Sequence, residues 1–381
     1  MIWLCLIIPV ITVLILVLAF HKHMAWWEYF LVIVVPTVAI VVANYTAVHF
    51  QTQDTEYWNT YGTQASYYEK WNEWITKTCS EEVCSGSGDN RSCTTRYYDC
   101  SYEETHPPRW KIRDNMGNDT RIDRSYFAYL VKHWGNKTFQ DMNRSYYTYD
   151  GDAYHTTFKK EFEKIISLCK THTYENKVMV SKSVFNFQEV DSATITDYGL
   201  YEYPKENVFD FDPILGDGNV FTSDKLNKYN ALNGSTKQLH MMILIFKDKP
   251  YDAGMMQESY WKGGNKNEFV LCVGIAGKKI KWTKVISWTD EEALKAEVNQ
   301  DVLGMDTLNI MSLVDYMGKE VPPRFVRKKF EDFDYLKIEP SFTAVMITLI
   351  LTILISAGIA VYVVMNEHVL GGSKSYRRNR F

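Results

Sequence analysis

Three long apolar runs constrain this chain more than any other feature. Ile2 to Phe20 carries no charged residue. Tyr29 to Val48 is interrupted only by Pro36 and the weakly polar Thr37, Asn44 and Thr46. Ser341 to Met365 is rich in Ile, Leu and Val. About 20 apolar residues in a helix cross a hydrocarbon core. A backbone in lipid must satisfy its own hydrogen bonds, so each run reads as a transmembrane helix, and Pro9 and Pro36 are tolerable there. The first run lacks a basic leading segment and a small-x-small cleavage site before His21, so it reads as a span rather than a removed leader.

Orientation follows the Lys and Arg residues near span ends. Lys374, Arg377, Arg378 and Arg380 follow the third run with no acid after Glu367, and His21-Lys22-His23 separates the first two runs. Both segments are expected in the cytoplasm, which puts the middle of the chain outside, in a periplasmic or extracellular space. Arg324, Arg327, Lys328 and Lys329 oppose that orientation, but Glu331, Asp332 and Asp334 follow them, and folded domains translocate largely regardless of charge. Trp26, Trp27 and Tyr29 mark one membrane interface.

The resulting organisation is two transmembrane helices and a short cytoplasmic turn over 1–50, and an aromatic- and cysteine-rich region over 51–208. An α/β domain follows over 209–338, then a transmembrane helix with a basic cytoplasmic tail over 339–381. A net charge of −4 argues against a nucleic-acid partner.

Cys79, Cys84, Cys93 and Cys100 cluster around Ser85-Gly86-Ser87-Gly88-Asp89-Asn90. In an oxidising compartment they read as two local disulfides, with three pairings open. A zinc site, with His106 as a further ligand, is the rival reading, but the gaps are not the C-x2-C of zinc pairs. Sequons stand at Asn90, Asn118, Asn136, Asn143 and Asn233.

Trp58, Tyr61, Ala65, Tyr68, Trp71 and Ile75 are spaced at three and four, which predicts an amphipathic helix continuing from the second span. Its aromatic stripe would serve core or interface, and Trp58, Tyr61, Tyr68 and Trp71 are its candidate contact residues. Arg124 to His133 and Thr157 to Cys169 also pattern as helices, and Lys177 to Phe187 as a strand. Further on, Asp224 to Leu232 reads as a helix and His240 to Phe246 as a buried strand. A helix over Asp252 to Trp261 ends at Gly263-Gly264. Glu268 to Ile275 and Ile280 to Trp288 pair as a hairpin. A capping box at Thr289 to Glu292 opens a helix presenting Leu294 and Val298, and a last helix covers Thr307 to Met317. The order α-β-α-β-β-α-α predicts a mixed sheet flanked by helices.

That order, with HMMILIF, WKGGNKNEFVLCVGI and the hairpin and helix after them, resembles the TPM domain over about 209–317. Trp261, Gly263, Gly264, Asn267 and Gly274 stand where that family's motif residues would, although its usual N-G is Asn267-Glu268 here. The whole chain is similar in build to bacterial or phage-type membrane proteins. Some TPM members are phosphatases, so the resemblance makes a metal or phosphate site conceivable.

No P-loop, G-x-G-x-x-G, G-x-S-x-G or H-E-x-x-H is present, and no cofactor is expected. Asp210, Asp212 and Asp217 could hold a hard cation or simply shape a turn. Asp150, Asp152 and His155 pose the same choice, metal loop or Asx turn. In the third span Ser356, Ala357, Gly358 and Ala360 would admit a neighbouring helix closely, with Gly358 at the contact. These features favour a membrane-anchored interaction or assembly protein whose outer domain would bind other copies of itself or another envelope component. A tethered TPM-like hydrolase and a subunit of an oligomeric pore are the alternatives.

Overall fold

A computed structural model of the chain describes residues 2–20, 25–86, 92–142, 151–181, 187–204, 208–209 and 211–374. In chain order the helices are α1 (Ile7–Phe20), α2 (Trp26–Thr52), α3 (Arg124–Trp134), α4 (Lys177–Val180), α5 (Ser192–Tyr198), α6 (Val220–Lys237), α7 (Asp252–Tyr260), α8 (Glu292–Gly304), α9 (Ile310–Arg324) and α10 (Phe342–Lys374). The strands are β1 (Gln53–Tyr68), β2 (Trp71–Ile75), β3 (Thr78–Ser85), β4 (Ser92–Asp99), β5 (Tyr102–His106), β6 (Arg109–Asp114), β7 (Asp119–Arg121), β8 (Thr138–Gln140), β9 (Ala153–Thr157), β10 (Ser167–Glu175), β11 (Ile214–Leu215), β12 (His240–Lys247), β13 (Glu268–Ala276) and β14 (Lys279–Ser287). The chain divides into two compact units, Met1–Glu56 with Thr173–Phe187 and Lys329–Phe381, and Tyr57–His172 with Gln188–Lys328.

The first unit holds three helices long and apolar enough to cross a membrane: Ile2–Ala19, Trp26–Thr52 and Phe342–Met365. Ile2, Cys5 and Ile40 are buried together against Leu6, Val345 and Leu349. Thr348, Thr352 and Ser356 recur every four residues on the buried side of α10. The two threonines return their hydroxyls to the carbonyls of Ala344 and Thr348, while the Ser356 hydroxyl is buried with no partner among the described residues. At the start of α2, Glu28 reaches back to the Ala25 amide at 2.7 Å, so this buried acid serves as a cap.

Beyond the spans, three stretches of this unit are stitched together. Asp54 accepts hydrogen bonds from the Tyr174 hydroxyl at 3.0 Å and the Asn176 side chain at 2.7 Å. The Asn176 amide donates to the Thr52 carbonyl at 2.6 Å. Lys177 pairs with Asp334 at 2.7 Å, and Tyr174 meets Phe330 edge-on.

The second unit carries the sheets. One has order β7-β6-β1-β9-β8 with β10 also on β1; a second has order β11-β12-β13-β14. In the latter β11, β12 and β13 run parallel and β14 closes antiparallel, the expected mixed sheet. Both of its faces are covered, as the unbroken apolar run His240 to Phe246 implies. Met241, Ile243 and Ile245 pack with Leu294, Val298, Leu313 and Met317 of α8 and α9, and Met242, Leu244 and Phe246 pack with Ala253 of α7 and with Phe211. From α6 to α9 the order is the α-β-α-β-β-α-α anticipated, but a short strand, β11, precedes it and was not expected. The larger sheet closes its own core with α3, through Ala65, Ile112, Phe127, Leu130 and Trp134.

Four local expectations are corrected. Residues 58–68 form β1, not a helix, and Trp71–Ile75 is a separate strand. A bulge between Gly62 and Gln64 shifts the register of β1, while the three-residue steps Trp58–Tyr61 and Ala65–Tyr68 fall on either side of it and put each pair on opposite faces of the strand. Thr157 to Cys169 gives only a short 3-10 turn, Phe162–Lys164, before β10 begins at Ser167. Lys177–Val180 is one helical turn, because the Asn176 side chain caps the Met179 amide; of the expected strand, residues 182–186 lie outside the described ones. The capping box at Thr289 does not form. That hydroxyl instead bonds the Val326 carbonyl at 3.1 Å, and α8 opens at Glu292 without a side-chain cap.

Candidate binding cleft between two helices

All four clustered cysteines are joined in pairs. Cys79 is bonded to Cys100 with Cα atoms 5.7 Å apart, and Cys84 to Cys93 at 4.0 Å. Cys84 faces Cys93 across the β3–β4 hairpin, so strand register chooses the pairing that spacing left open. Glu82, Cys84 and Cys93 are the one convergent group of potential metal ligands among the described residues, and two of its three members are spent in that disulfide.

Of the three aspartates read as a cation site, Asp210 lies outside the described residues. Asp212 accepts from the Ser223 hydroxyl at 2.6 Å and the Ile214 amide at 3.1 Å, while Asp217 pairs with Lys247 at 2.6 Å. Asp150 is likewise outside the described residues, and Asp152 accepts from the Met142 amide. Both ring nitrogens of His155 are engaged, with Ser66 and Gln140 at 2.8 Å each, so a metal would have to displace one of them. Burial, then nearby Lys111, holds this imidazole's pKa below the usual value.

The four aromatics expected on one stripe go to separate neighbours. Trp58 stacks on His172 with centroids 3.7 Å apart, and the Arg327 guanidinium stands over its ring. Tyr61 packs edge-on against Phe158, Tyr68 lies beneath Arg109 and Lys111, and Trp71 stacks on His106. Each is half-buried. Gly358 sits on an exposed face of α10, with nothing within 4 Å of where a Cβ would stand.

Another place gathers polar groups around open space. A cavity of about 260 Å³ lies between α3 and α6, lined by Tyr126 and Tyr129 on one side and Asp224 and Asn227 on the other. Phe209 joins the rings, 4.8 Å from Tyr126, and Asn59 and Ser167 also line the space. Asp123 caps α3 through the Tyr126 amide, and Asn219 caps α6 through the Phe221 and Thr222 amides, so both walls are fixed at their starts. Position Asp224 lies four residues after the strongly exposed Val220 and three before Asn227, on one helical face. Burial, with smaller contributions from Tyr129 and Asp224, pushes the Tyr126 hydroxyl up to about 12, so it stays protonated. Asn227 donates to the Phe211 carbonyl at 2.6 Å, leaving its own carbonyl oxygen buried and without a hydrogen-bond partner among the described residues.

Behind the cavity, Asn59 donates to Ser167 Oγ at 3.0 Å and faces His240 Nδ1 at 2.8 Å. His240 is fully buried, and desolvation lowers its pKa to about 3, so the ring is neutral near pH 7. The sequence reading missed this cleft because its walls come from residues about 100 positions apart with no shared motif. The density of aromatic residues was the only signal of it.

No family model matches this chain, and no curated protein or solved structure is significantly similar to it.

Proposed function

We propose that the chain is a membrane-anchored interaction protein, self-associating, whose sheet-bearing unit lies outside the cytoplasm and whose basic tail lies inside. The observation that carries the reading is the cleft between α3 and α6. Its lining keeps Tyr129 48% and Phe209 38% exposed beside the polar Asn59, Ser167, Asp224 and Asn227. Exposed aromatic area around a recess is the composition of a contact site. Paired cysteines fit an oxidising space, and Lys374, Arg377, Arg378 and Arg380 fit a cytoplasmic end.

Light scattering on the full chain extracted in a mild detergent tests the assembly. A particle containing several chains is expected, and a stable monomer at micromolar concentration overturns self-association. Thiol labelling of single cysteines at positions 150 and 376 in intact membranes tests the placement, since both reacting from one side would defeat it.

A further inference from the structure

Strands β1 to β6 run outward and back as one long hairpin. Tyr68 faces Arg109, Trp71 faces His106 and Thr78 faces Asp99, so a single register continues from the larger sheet into the β2–β5 and β3–β4 pairs. Residues 71–106 thus extend the sheet as a two-stranded ribbon. At about 3.3 Å per residue, residues 71–85 reach up to about 50 Å. The outer half is exposed on both faces, with Val83 and Tyr98 on one and Tyr97, 72% exposed, on the other. Trp74, 67% exposed, and Tyr102 add to the uncovered aromatic area. Two-stranded ribbons are marginal in water, and here two disulfides hold the strands together.

The ribbon is also acidic. It holds seven Asp and Glu against three Lys and Arg, a balance of −4, which is the net charge of the whole chain. Glu73 and Glu104 face one another directly across its strands, a like-charge pair that a nearby cation would relieve.

A surface of opposite character belongs to the same unit. The larger sheet packs one face on α3 and turns the other away. On that second face, β6 and β7 place Arg109, Lys111, Arg113 and Arg121 together with Asp119, a balance of +3. Lys111 and Arg113 each hold Asp119 at 2.8 Å, while Arg109, Arg113 and Arg121 are exposed. Residues 143–150, between β8 and β9, hold one Arg and one Asp, so they leave this balance unchanged.

Within one chain the ribbon and the basic face both keep exposed side chains, so neither covers the other. The face is five strands wide, about 20 Å at the usual strand spacing, and a ribbon of this length can cross all of it. Carboxylates and rings on one surface suit guanidinium groups on the other, in charge and in stacking. A chain that carries both halves of such a pair finds its match in a second copy, and a two-fold axis satisfies both ribbons at once.

We propose that residues 71–106 form an arm that docks on the basic sheet face of a second copy, each of two copies grasping the other. The proposal rests on the self-association proposed above and names the surfaces that carry it.

Photo-crosslinking of the full chain in a mild detergent tests it, with benzoylphenylalanine placed at Trp74 or, separately, at Tyr97. Irradiation should give a covalent dimer in which the arm is joined to residues 109–121 or 138–157 of the second copy. Reversing the arm (Glu103→Lys with Glu104→Lys) or the face (Arg109→Glu with Arg121→Glu) should lower the dimer yield tenfold or more. All four substitutions in one chain should restore it. Thermal midpoints establish that the variants are folded. Should the fourfold variant fail to fold, co-expression of the two reversed chains gives the same reading, since each arm then meets a face of opposite charge. No dimer from either probe, crosslinks confined to other segments, a yield indifferent to reversal, or no restoration overturns the proposal. If it is overturned while light scattering still shows a multimer, self-association stands and the arm is left for a different protein. A monomer removes both.

Discussion

Asn59 and His240 are joined by a 2.8 Å hydrogen bond in a setting where His240 is wholly buried. Asn59 gives its amide hydrogens to Ser167, so its oxygen faces the ring and the imidazole proton sits on Nδ1. The bond ties β1 of one sheet to β12 of the other within a single unit. It is reinforced where the Asn267 side chain donates to the Tyr57 carbonyl at 2.7 Å.

This buried imidazole makes stability depend on acid. The folded pKa is about 3, against about 6.5 for an unfolded histidine. Between those values the unfolded chain binds a proton that the folded chain does not, so stability is complete above about pH 6.5 and falls as pH drops towards 3. The folding equilibrium should lose up to about tenfold per pH unit from this group. Burial lowers His133 and His155 as well, so the contribution of His240 is the difference between wild type and His240→Leu. Urea midpoints between pH 5 and 7, above most carboxylate titration, should show a shallower slope in the variant, and parallel slopes would count against the assignment.

The two disulfides staple an exposed hairpin, not a core. Mass spectrometry of unreduced peptides should find Cys79 linked to Cys100 and Cys84 to Cys93. Each bond constrains the hairpin by about 2–4 kcal/mol in the chain-entropy account. Reduction should open Arg96 to trypsin while the main thermal transition stays within a few degrees of its oxidised value. Collapse of that transition would show that the hairpin supports the core after all.

Gly234 of α6 admits the main chain of β1. A Cβ there would land on the Asn59 carbonyl oxygen, an atom with no freedom to move aside. Gly234→Ala should therefore cost about 1–3 kcal/mol, the range for overpacking. Gly304→Ala, where nothing stands within 4 Å, should be neutral or gain up to about 1 kcal/mol of helix propensity. Chemical denaturation of the two variants side by side checks the contrast.

Gly358 offers the reverse situation, with open space around it inside one chain. Gly358→Leu should leave the thermal midpoint of a single chain unchanged and reduce the particle mass in detergent, because any obstruction must come from a neighbouring copy. An unchanged mass would remove this face of α10 from the contact.

Much of the fold was legible in sequence, for reasons that differ along the chain. The three long apolar helices and the β12–β13–β14 core were readable because composition alone dictates them. Continuous apolar residues can only be lipid-facing or doubly covered. The region after Gln51 was not, since residues on both faces of β1 happen to fall at helical spacing. The strand expected from Lys177 gave way to a helical turn because its cap, Asn176, is held by Asp54 and Thr52, contacts that no local window contains. The cleft was invisible for a related reason, as Asn59 of β1 and Asn227 of α6 come to line one space only in the folded chain.

The stitch among Thr52, Asp54, Tyr174, Asn176, Lys177 and Asp334 has a mechanical consequence. The chain leaves α2 and returns towards α10 through one fastened neck, in which residues 52–54, 174–177 and 334 are held together. Tension applied along either flanking helix is borne first by that neck, across a few short hydrogen bonds and one ion pair. Pulling the chain by its ends should therefore yield two separated rupture events, the first of them abolished by Asn176→Ala together with Asp54→Ala.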